Sequence, residues 1–378
     1  MKSNRREFLH ANLLLACVCL LLSPLPALEA ATFGDLYIVT VAPDPEAQDT
    51  RSDAIRRAMS LLLTRITGRQ QASAYPAMQE LIDDADRYRD SYSQISENEI
   101  RVGFIPSQID QALDRLNMPI WGAERPSTLL WIASDFGDGQ RVELRASDVV
   151  DPISAGNRIS AGAVSGVAST VLPGEAAAFF EDIAAEMLSA ADERGLPIVL
   201  PKLDAEDRRY VSFADVWGGF DRFVANAADR YNVDSILIAR VSMNEFGLEV
   251  RWTAQRGDRR QTLTTPRARM GIDWLADEFA SEFTTVGGAR LTRITIKDIR
   301  GWRDFRVVEY LESVSIIESV DVESFAGGDL VLRVTARGDA SQLDRVLTLD
   351  GELSPAENTD GLVYVPARLA STGSIDTL

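Results

Sequence analysis

Beyond residue 30 the 378-residue sequence contains no histidine and no cysteine. Its only histidine, His10, and its two cysteines, Cys17 and Cys19, all lie in the first thirty residues. If that segment is cleaved, the remaining chain excludes serine or cysteine nucleophiles that depend on histidine, zinc sites built from histidine or thiolate and disulfide bonds. We therefore expect the fold to depend on its hydrophobic core.

Lysine is nearly as scarce. Lys202 and Lys297 are the only lysines after residue 30, beside 34 arginines. Neither has a serine three positions before it, so the Ser-x-x-Lys nucleophile is excluded. A Schiff-base lysine could only be one of these two.

The first thirty residues have the three parts of a secretory signal. A basic start with Arg5 and Arg6 is followed by an apolar run over residues 13–28, and small residues surround Ala30. A membrane anchor needs roughly 20 consecutive apolar residues, and this run is shorter and contains two prolines. The sequence predicts cleavage near Ala30, a periplasmic protein and no stable membrane insertion after cleavage.

Two export routes fit this signal. Arg5-Arg6-Glu7-Phe8-Leu9 resembles the twin-arginine motif, which a receptor reads as an address. An ordinary Sec signal also begins with basic residues, and the leucine-rich core favours it.

Basic residues are fewer than acidic residues in this chain. Cleavage at residue 30 removes three of the 39 basic and two of the 57 acidic residues, leaving 36 and 55 and a net charge of −19. Such a charge disfavours binding to nucleic acid. We therefore expect no nucleic-acid partner.

Hydrophobic periodicity predicts three domains between the signal and the tail. Residues 31–124 predict an N-terminal α+β domain whose second helix runs from Met78 to Tyr92. Residues 125–288 predict a three-layer α/β domain with a mixed sheet, within which the Gly/Ala/Ser-rich stretch 152–174 reads as a flexible loop. Residues 289–368 predict a small α+β domain, and 369–378 a disordered tail. The expected fold class is thus α/β and α+β multidomain, with the mixed-sheet domain in the centre.

Several linked motifs resemble one known family. They are the strand Leu36–Val41, the helix ending Leu62-Leu-Thr-Arg-Ile-Thr-Gly68, and the runs Ile100–Phe104, Leu116–Gly122, Arg125–Ile132 and Gly195–Pro201. The chain thereby resembles an exported proteobacterial family, the domain of unknown function 2066. The resemblance implies a periplasmic protein, and it implies no activity, cofactor or site residue.

Paired carboxylates are the first candidates for chemistry, because two acids that flank a sugar bond can hydrolyse it. One set lies on a helix whose opposite face is apolar, so a solvated surface is the favoured interpretation: Asp83, Asp84 and Asp86. The other set lies in a polar loop before two arginines and indicates a charged turn: Asp204, Glu206 and Asp207. No calcium-loop pattern is present, and we expect no metal and no cofactor.

Glycines and arginines offer two weaker candidates. Gly156, Gly162 and Gly166 lack the spacing of a phosphate-binding loop. A local basic stretch could bind an anionic partner, although neighbouring acids could equally balance it: Arg290, Arg293, Lys297, Arg300, Arg303 and Arg306. If Ile294 and Ile296 face the core, Arg293 and Lys297 share the opposite face of the strand.

Three aromatic residues follow each other at a Gly-Gly pair: Trp217, Phe220 and Phe223. They could line a groove for a peptide or a sugar. Core packing at the start of a helix is the favoured interpretation.

These patterns favour a non-catalytic interaction or assembly module of the cell envelope, whose partner proteins the sequence does not identify. Two alternatives stay open: a carboxylate-only hydrolase acting on a cell-wall glycan, and a small-ligand-binding protein. A close pair of buried carboxylates in an open cleft would favour the hydrolase. An exposed apolar patch or a free strand edge would favour the interaction module.

Overall fold

The computed structural model describes residues 36–137, 140–150, 163–164, 174–300, 306–349, 351–357, 359 and 361–366. The signal segment, the tail after residue 368 and almost all of the 152–174 stretch with its three glycines lie outside these ranges. Those predictions therefore stay predictions.

The N-terminal segment is a three-stranded antiparallel sheet with three helices. The strands are β1 (Ile38–Val41), β2 (Arg89–Ser96) and β3 (Glu99–Phe104), in the order β1-β3-β2. The helices are α1 (Thr50–Thr67), α2 (Pro76–Asp83) and α3 (Pro106–Arg115). The Asp49 carboxylate caps the start of α1, and Gly68 ends the helix in the left-handed conformation at φ 67°.

The predicted second helix of this segment is too long. The structure ends α2 at Asp83, and Tyr92 lies in β2, opposite Val102 of β3. The helical spacing of Tyr88 and Tyr92 was a coincidence of sequence. Pairing with β3 gives the backbone of β2 its hydrogen bonds, which local periodicity does not reveal.

The central segment contains a six-stranded mixed sheet. Its strands are β4 (Thr128–Asp135), β5 (Arg141–Glu143), β8 (Ile198–Val199), β9 (Ser235–Asn244), β10 (Gly247–Arg256) and β11 (Arg259–Thr265). They run in the order β11-β10-β9-β4-β5, with β8 also on β4. The strand β4 is parallel to β8 and β9, whereas the other pairs are antiparallel. A separate two-stranded pair joins β6 (Val149–Val150) to β7 (Ala163–Val164).

Helices cover both faces of this sheet. They are α4 (Gly174–Arg194), α5 (Asp207–Tyr210), α6 (Phe213–Gly218), α7 (Asp221–Ala228) and α8 (Arg269–Phe283). Leu130 and Ile132 of β4 pack in one cluster with α4 and α8. Leu129 and Trp131 point to the opposite face and pack with α6 and α7. The strand β4 is therefore buried on both sides, and the segment has three layers.

The third segment is a five-stranded sheet with two helices. The strands are β12 (Arg290–Ile296), β13 (Ile317–Ala326), β14 (Asp329–Ala336), β15 (Leu353–Pro355) and β16 (Val363–Pro366), in the order β13-β14-β12-β16-β15. The helices α9 (Arg306–Ser313) and α10 (Ala340–Leu347) contribute to the same core as Ile294 and Ile296. The sequence predicted neither β11 nor the two short strands β15 and β16.

The structure confirms the predicted fold class, with a mixed-sheet α/β segment between two α+β segments. The central and third segments share one continuous hydrophobic cluster, while the N-terminal segment has its own. The domain limits at residues 124, 288 and 368 remain predictions. Among the helices described, none is long and apolar enough to cross a membrane.

Candidate functional site

A cleft of about 380 Å³ opens where the N-terminal segment meets the third segment. We call it the junction cleft. Its lining comes from β1 and the two residues before it, from β2, β3 and α3, from residues 120, 122 and 123, and from Ser315, Ile316 and Arg337 of the third segment. Its size falls within the range of small-molecule sites, roughly 300–1,000 Å³.

The open face of the N-terminal sheet forms one wall of the junction cleft. Ile38 of β1 and Ser91 of β2 flank Gly103 of β3 in the ladder. A Cβ atom on Gly103 would lie 2.4 Å from the Ser91 hydroxyl oxygen. Glycine at this position therefore allows Ser91 to lie close against the central strand.

Tyr37 and Asp110 form a polar pair in this wall. The Tyr37 hydroxyl donates a hydrogen bond of 2.6 Å to Oδ1 of Asp110, which lies on α3. Burial raises the pKa of both groups, and in Asp110 it outweighs the opposing effects of the Tyr37 hydrogen bond and of Arg337. The second oxygen of Asp110, Oδ2, accepts no hydrogen bond from any part of the chain that the structure describes.

Arg337 lines the cleft from the end of β14. Both of its terminal nitrogens donate to Asp114, one turn after Asp110 on α3. Its Nε–H group is buried and has no acceptor within the described ranges. Asp114 thus pairs with the positive charge of Arg337, whereas the Nε–H group of Arg337 has no hydrogen-bond acceptor in the described ranges.

Glu124 joins the linker after the N-terminal segment to the third segment. It accepts hydrogen bonds from the backbone N–H of Ser315, at 2.7 Å, and from the Ser315 hydroxyl. The Ala123 N–H donates to the same hydroxyl oxygen at 2.9 Å. Burial raises the pKa of Glu124 despite these hydrogen bonds. Ser315 therefore connects two segments at the rim of the cleft.

Three buried arginines hold the N-terminal and central segments together behind the cleft. Arg125 is fully buried and donates to five backbone carbonyl oxygens, those of Arg65, Trp121, Gly122, Arg194 and Gly195. Arg194 donates to the Gly68 carbonyl and to Asp273 and Asp277 of α8. Arg65 donates to the Ile38 and Asp192 carbonyls. These contacts fix the wall that carries Tyr37.

The sequence did not identify Tyr37, Asp110, Glu124, Ser315 or Arg337 as site residues. Asp114 and Arg337 are 223 positions apart, and Glu124 and Ser315 are 191 apart. Contacts between residues so far apart in the sequence leave no local pattern from which they could be predicted. The one available signal is the Ser107-x-x-Asp110 pattern, which predicts a helix cap. The structure contradicts that cap, because α3 begins at Pro106 after Ile105 and has no side-chain cap.

The first set of candidate acids lies on the surface. Asp83, Asp84 and Asp86 are all exposed. Asp83 accepts a hydrogen bond from Gln79, and Asp86 pairs with Arg89. None of the three lines the junction cleft.

The second set of acids surrounds a single arginine. Arg230 pairs with Asp204, Glu206 and Asp207 at 2.7, 3.3 and 3.0 Å. Asp207 is buried and also accepts from the Tyr231 hydroxyl at 2.6 Å. Arg230 lowers the pKa of Asp204 through its hydrogen bond. The Asp204 carboxylate is therefore held ionised, which does not suit a general acid.

The basic stretch of β12 is dispersed. Ile294 and Ile296 are buried, as expected, and Arg293 on the other face forms a two-point ion pair with Glu323. Arg290 is exposed, Arg300 and Arg306 have interactions of their own, and Arg303 lies outside the described ranges. Neither Lys202 nor Lys297 lines the cleft.

The three aromatic residues divide between core and surface. Trp217 stacks on Phe213 at 5.8 Å and Phe223 is half-buried, so both pack against the core cluster under α6 and α7. Phe220 is 56% exposed and contacts Phe223 edge-on at 6.5 Å. None of the three lines the junction cleft.

No group of three or more acidic, histidine or cysteine side chains within the described ranges is placed to hold a metal ion. The junction cleft is instead lined by two carboxyl groups, of which Asp110 has one open oxygen, by three hydroxyl groups and by apolar side chains. Such a site can bind a small polar molecule.

Comparison with protein families corrects the resemblance drawn from the sequence. Residues 30–122 match the family model described as Domain of unknown function (DUF8605), and not domain of unknown function 2066. The motifs that suggested the other family are amphipathic strand and helix patterns, which many α+β folds share. The chain matches no curated protein and no solved structure.

Proposed function

We propose that the protein is exported to the periplasm and serves there as a non-catalytic binding protein, with its ligand in the junction cleft. One observation carries this proposal: Asp110 presents an open carboxyl oxygen inside a cleft of ligand size. Perturbed carboxyl groups in a concave, largely apolar site are typical of binding sites.

The chemistry of the cleft supports binding more than catalysis. The Tyr37 hydroxyl is hydrogen-bonded to a carboxyl group, but burial raises its pKa, so it remains a donor and a poor nucleophile. Asp114, the carboxylate nearest to Asp110 along α3, is engaged by Arg337. A glycoside hydrolase needs a second carboxyl group held in place across the sugar bond, whereas Asp90, the other acid of the lining, is exposed on β2.

Binding at the cleft can be tested by filling it. Ile38 is 37% exposed and lines the cleft, whereas Thr40 is exposed on the same face of β1 and does not. We expect Ile38→Trp to abolish binding and Thr40→Trp to preserve it. The probe is a mixture of small amines, carboxylates, sugars and phosphates, measured by ligand-observed NMR.

Two results would overturn the proposal. One is that no compound in the mixture distinguishes the wild type from Ile38→Trp. The other is turnover of a cell-wall glycan fragment that Asp110→Asn abolishes, which would make the protein a hydrolase.

Export is supported by the sequence of the first thirty residues and is tested separately. We expect fractionation to place the protein in the periplasm, with a new N-terminus at or near residue 31. Replacing Arg5 and Arg6 by lysine distinguishes the routes: unaffected export excludes the twin-arginine route, and loss of export excludes Sec.

A second function, docking of a partner protein, is favoured by the edge strand β13. Eight of its ten residues are exposed, and no described strand pairs with its outer edge. It carries Glu318, Asp321 and Glu323 and no basic residue. We propose an extended basic segment of an envelope protein as the partner, added as a further strand. Two bulges in β13 confine such pairing to a short stretch.

A pair of labelled peptides tests this second function. A peptide of alternating lysine and valine is expected to bind, and its glutamate and valine counterpart is not, as measured by fluorescence anisotropy. Glu318→Arg should abolish binding, whereas Glu312→Arg, exposed on α9, should not. Equal binding of both peptides would exclude recognition by β13.

A further inference from the structure

The charge on the wall of the junction cleft is unbalanced. Asp90 and Asp110 are its acidic residues, and Arg337 is its only basic residue. Both terminal nitrogens of Arg337 donate to Asp114, which is not part of the lining. The cleft therefore presents negative charge to any molecule that enters.

Asp110 is the acid that a ligand could best use. It is half-buried, it forms no ion pair in the described part of the chain, and only its Oδ1 atom is hydrogen-bonded. Burial raises its pKa, which shows that solvent and neighbours stabilise its charge poorly. A cation beside Oδ2 would supply the missing stabilisation.

The remaining walls are apolar. They are formed by Leu36, Ile38, Phe104, Pro106, Ile120 and Ile316. An ion that carries no apolar surface would gain nothing from contact with these side chains. An organic cation would gain roughly 25 cal/mol for each Å² of apolar surface that it buries against them.

A second unmatched group lies in the same lining. The Arg337 side chain is 8% exposed, and its buried Nε–H group has no acceptor within the described residues. A buried donor without an acceptor is uncommon in native structures. The chain itself covers this atom, so an acceptor on the same ligand would reach it only after the Arg337 side chain shifts toward the cleft.

We propose that the junction cleft binds a small organic amine, with its ammonium group beside Oδ2 of Asp110 and its apolar body between Ile38 and Ile120. This assignment rests on the proposed function and adds the chemical class of the ligand. A carbonyl group on the amine is expected to accept from Nε of Arg337.

Other ligand classes fit the lining less well. An anion would meet two carboxyl groups and no unpaired base. A divalent cation prefers six or more oxygen ligands, and the described residues place no group of three acids together. A neutral molecule would leave the charge of Asp110 without a partner.

Three compounds of one shape test the assignment: phenethylamine, 2-phenylethanol and 3-phenylpropanoate. We expect phenethylamine to bind the purified protein about tenfold more tightly than the alcohol, a difference of about 1.4 kcal/mol. The carboxylate should not bind. Phenylalanine amide, which adds a carbonyl group, should bind more tightly than phenethylamine. Isothermal titration measures all four affinities.

Matched variants assign the effect to the cleft. Asp110→Asn keeps an acceptor for Tyr37 and should reduce the affinity for phenethylamine about tenfold, to that of the alcohol. Asp83→Asn removes the same charge from an exposed site on α2 and should have no effect. Ile38→Trp should abolish binding, and Thr40→Trp should not. Thermal unfolding confirms that each variant is folded.

The outcomes test the ligand class and the location of the binding site separately. Binding of the alcohol or the carboxylate at least as tight as that of the amine, and sensitive to Ile38→Trp, would overturn the amine and leave the cleft as a binding site. Amine binding that Ile38→Trp does not change would overturn this site. If Asp110→Asn does not fold, the ranking of the three compounds on the wild type still decides. If phenylalanine amide binds no more tightly than phenethylamine, Arg337 does not donate a hydrogen bond to the ligand.

Discussion

Arginine, the dominant basic residue of this chain, has two distinct roles in the structure. On the surface it forms exchangeable ion pairs, as Arg293 does with Glu323. In the interior, Arg125 donates to five backbone carbonyl oxygens. Lysine has three donors on one nitrogen and could not reach carbonyl groups in five directions. The scarcity of lysine is therefore consistent with the architecture at this position.

Replacement of Arg125 by methionine should be strongly destabilising. The change leaves five buried carbonyl oxygens without a donor, and the loss is expected to be at least about 3 kcal/mol in the free energy of unfolding. Arg56→Met on the exposed face of α1 should change it by less than about 0.5 kcal/mol. Urea denaturation followed by circular dichroism measures both. A small effect of the Arg125 change would mean that water replaces the guanidinium.

Glu124 should make stability depend on pH. Burial raises its pKa above the ordinary value of 4.5, so folding favours the protonated form. Its contribution to stability is full below pH 4.5 and is lost as the pH rises through the raised pKa. Glu124→Gln cannot ionise, and its stability relative to the wild type should increase as the pH rises above 4.5.

The control for this pH dependence is Glu97→Gln, in the exposed turn between β2 and β3. Its stability relative to the wild type should not rise over the same interval. Urea denaturation at several pH values gives both differences. If the difference in stability between Glu124→Gln and the wild type stays constant or falls as the pH rises, the pKa of Glu124 is not raised by burial.

At the scale of elements, the sequence predicted what local periodicity encodes. The helix α1 ends at Gly68 and α4 stops before Gly195, as their apolar spacing and glycines indicate. The strand β11 was missed because Arg259–Thr265 is mostly polar and exposed, and it is defined by its pairing with β10. The junction cleft was missed for the same reason: its residues meet only through tertiary contacts.

Close packing of α8 on β10 depends on one helical glycine. A Cβ atom on Gly271 would lie 2.0 Å from the buried ring of Trp252. Gly271→Ala would gain about 1 kcal/mol of helix propensity, but displacement of the indole should cost more, about 1–3 kcal/mol. We expect a net loss of thermal stability and a shifted tryptophan emission. Ser281→Ala, exposed on the same helix, should show neither.

At the scale of the whole molecule, the boundary between the N-terminal and central segments differs in its packing from the boundary between the central and third segments. The central and third segments share a hydrophobic cluster, whereas the N-terminal segment has a separate one. Polar contacts attach the N-terminal segment to the other two: those of Arg65, Arg125 and Arg194 and the Arg337–Asp114 ion pair. Trp121, which is buried in the shared cluster, adds an apolar contact. Hydrogen bonds and ion pairs are lost when the donor and acceptor move apart by a small distance. We therefore expect single substitutions to loosen the boundary of the N-terminal segment, where the junction cleft lies, more easily than the boundary between the other two segments.

Arg194 provides the test of this view. Arg194→Met breaks the bond to the Gly68 carbonyl as well as those to Asp273 and Asp277. Arg269→Met breaks ion pairs with Glu193 and Asp273, which lie within the central segment alone. In hydrogen exchange with mass spectrometry, Arg194→Met should accelerate exchange in residues 36–122 more than in the rest of the chain. Arg269→Met should accelerate exchange around α4 and α8 and leave the N-terminal segment protected. If both variants change exchange uniformly, the segments unfold as one unit, and the junction is as stable as the cores it joins.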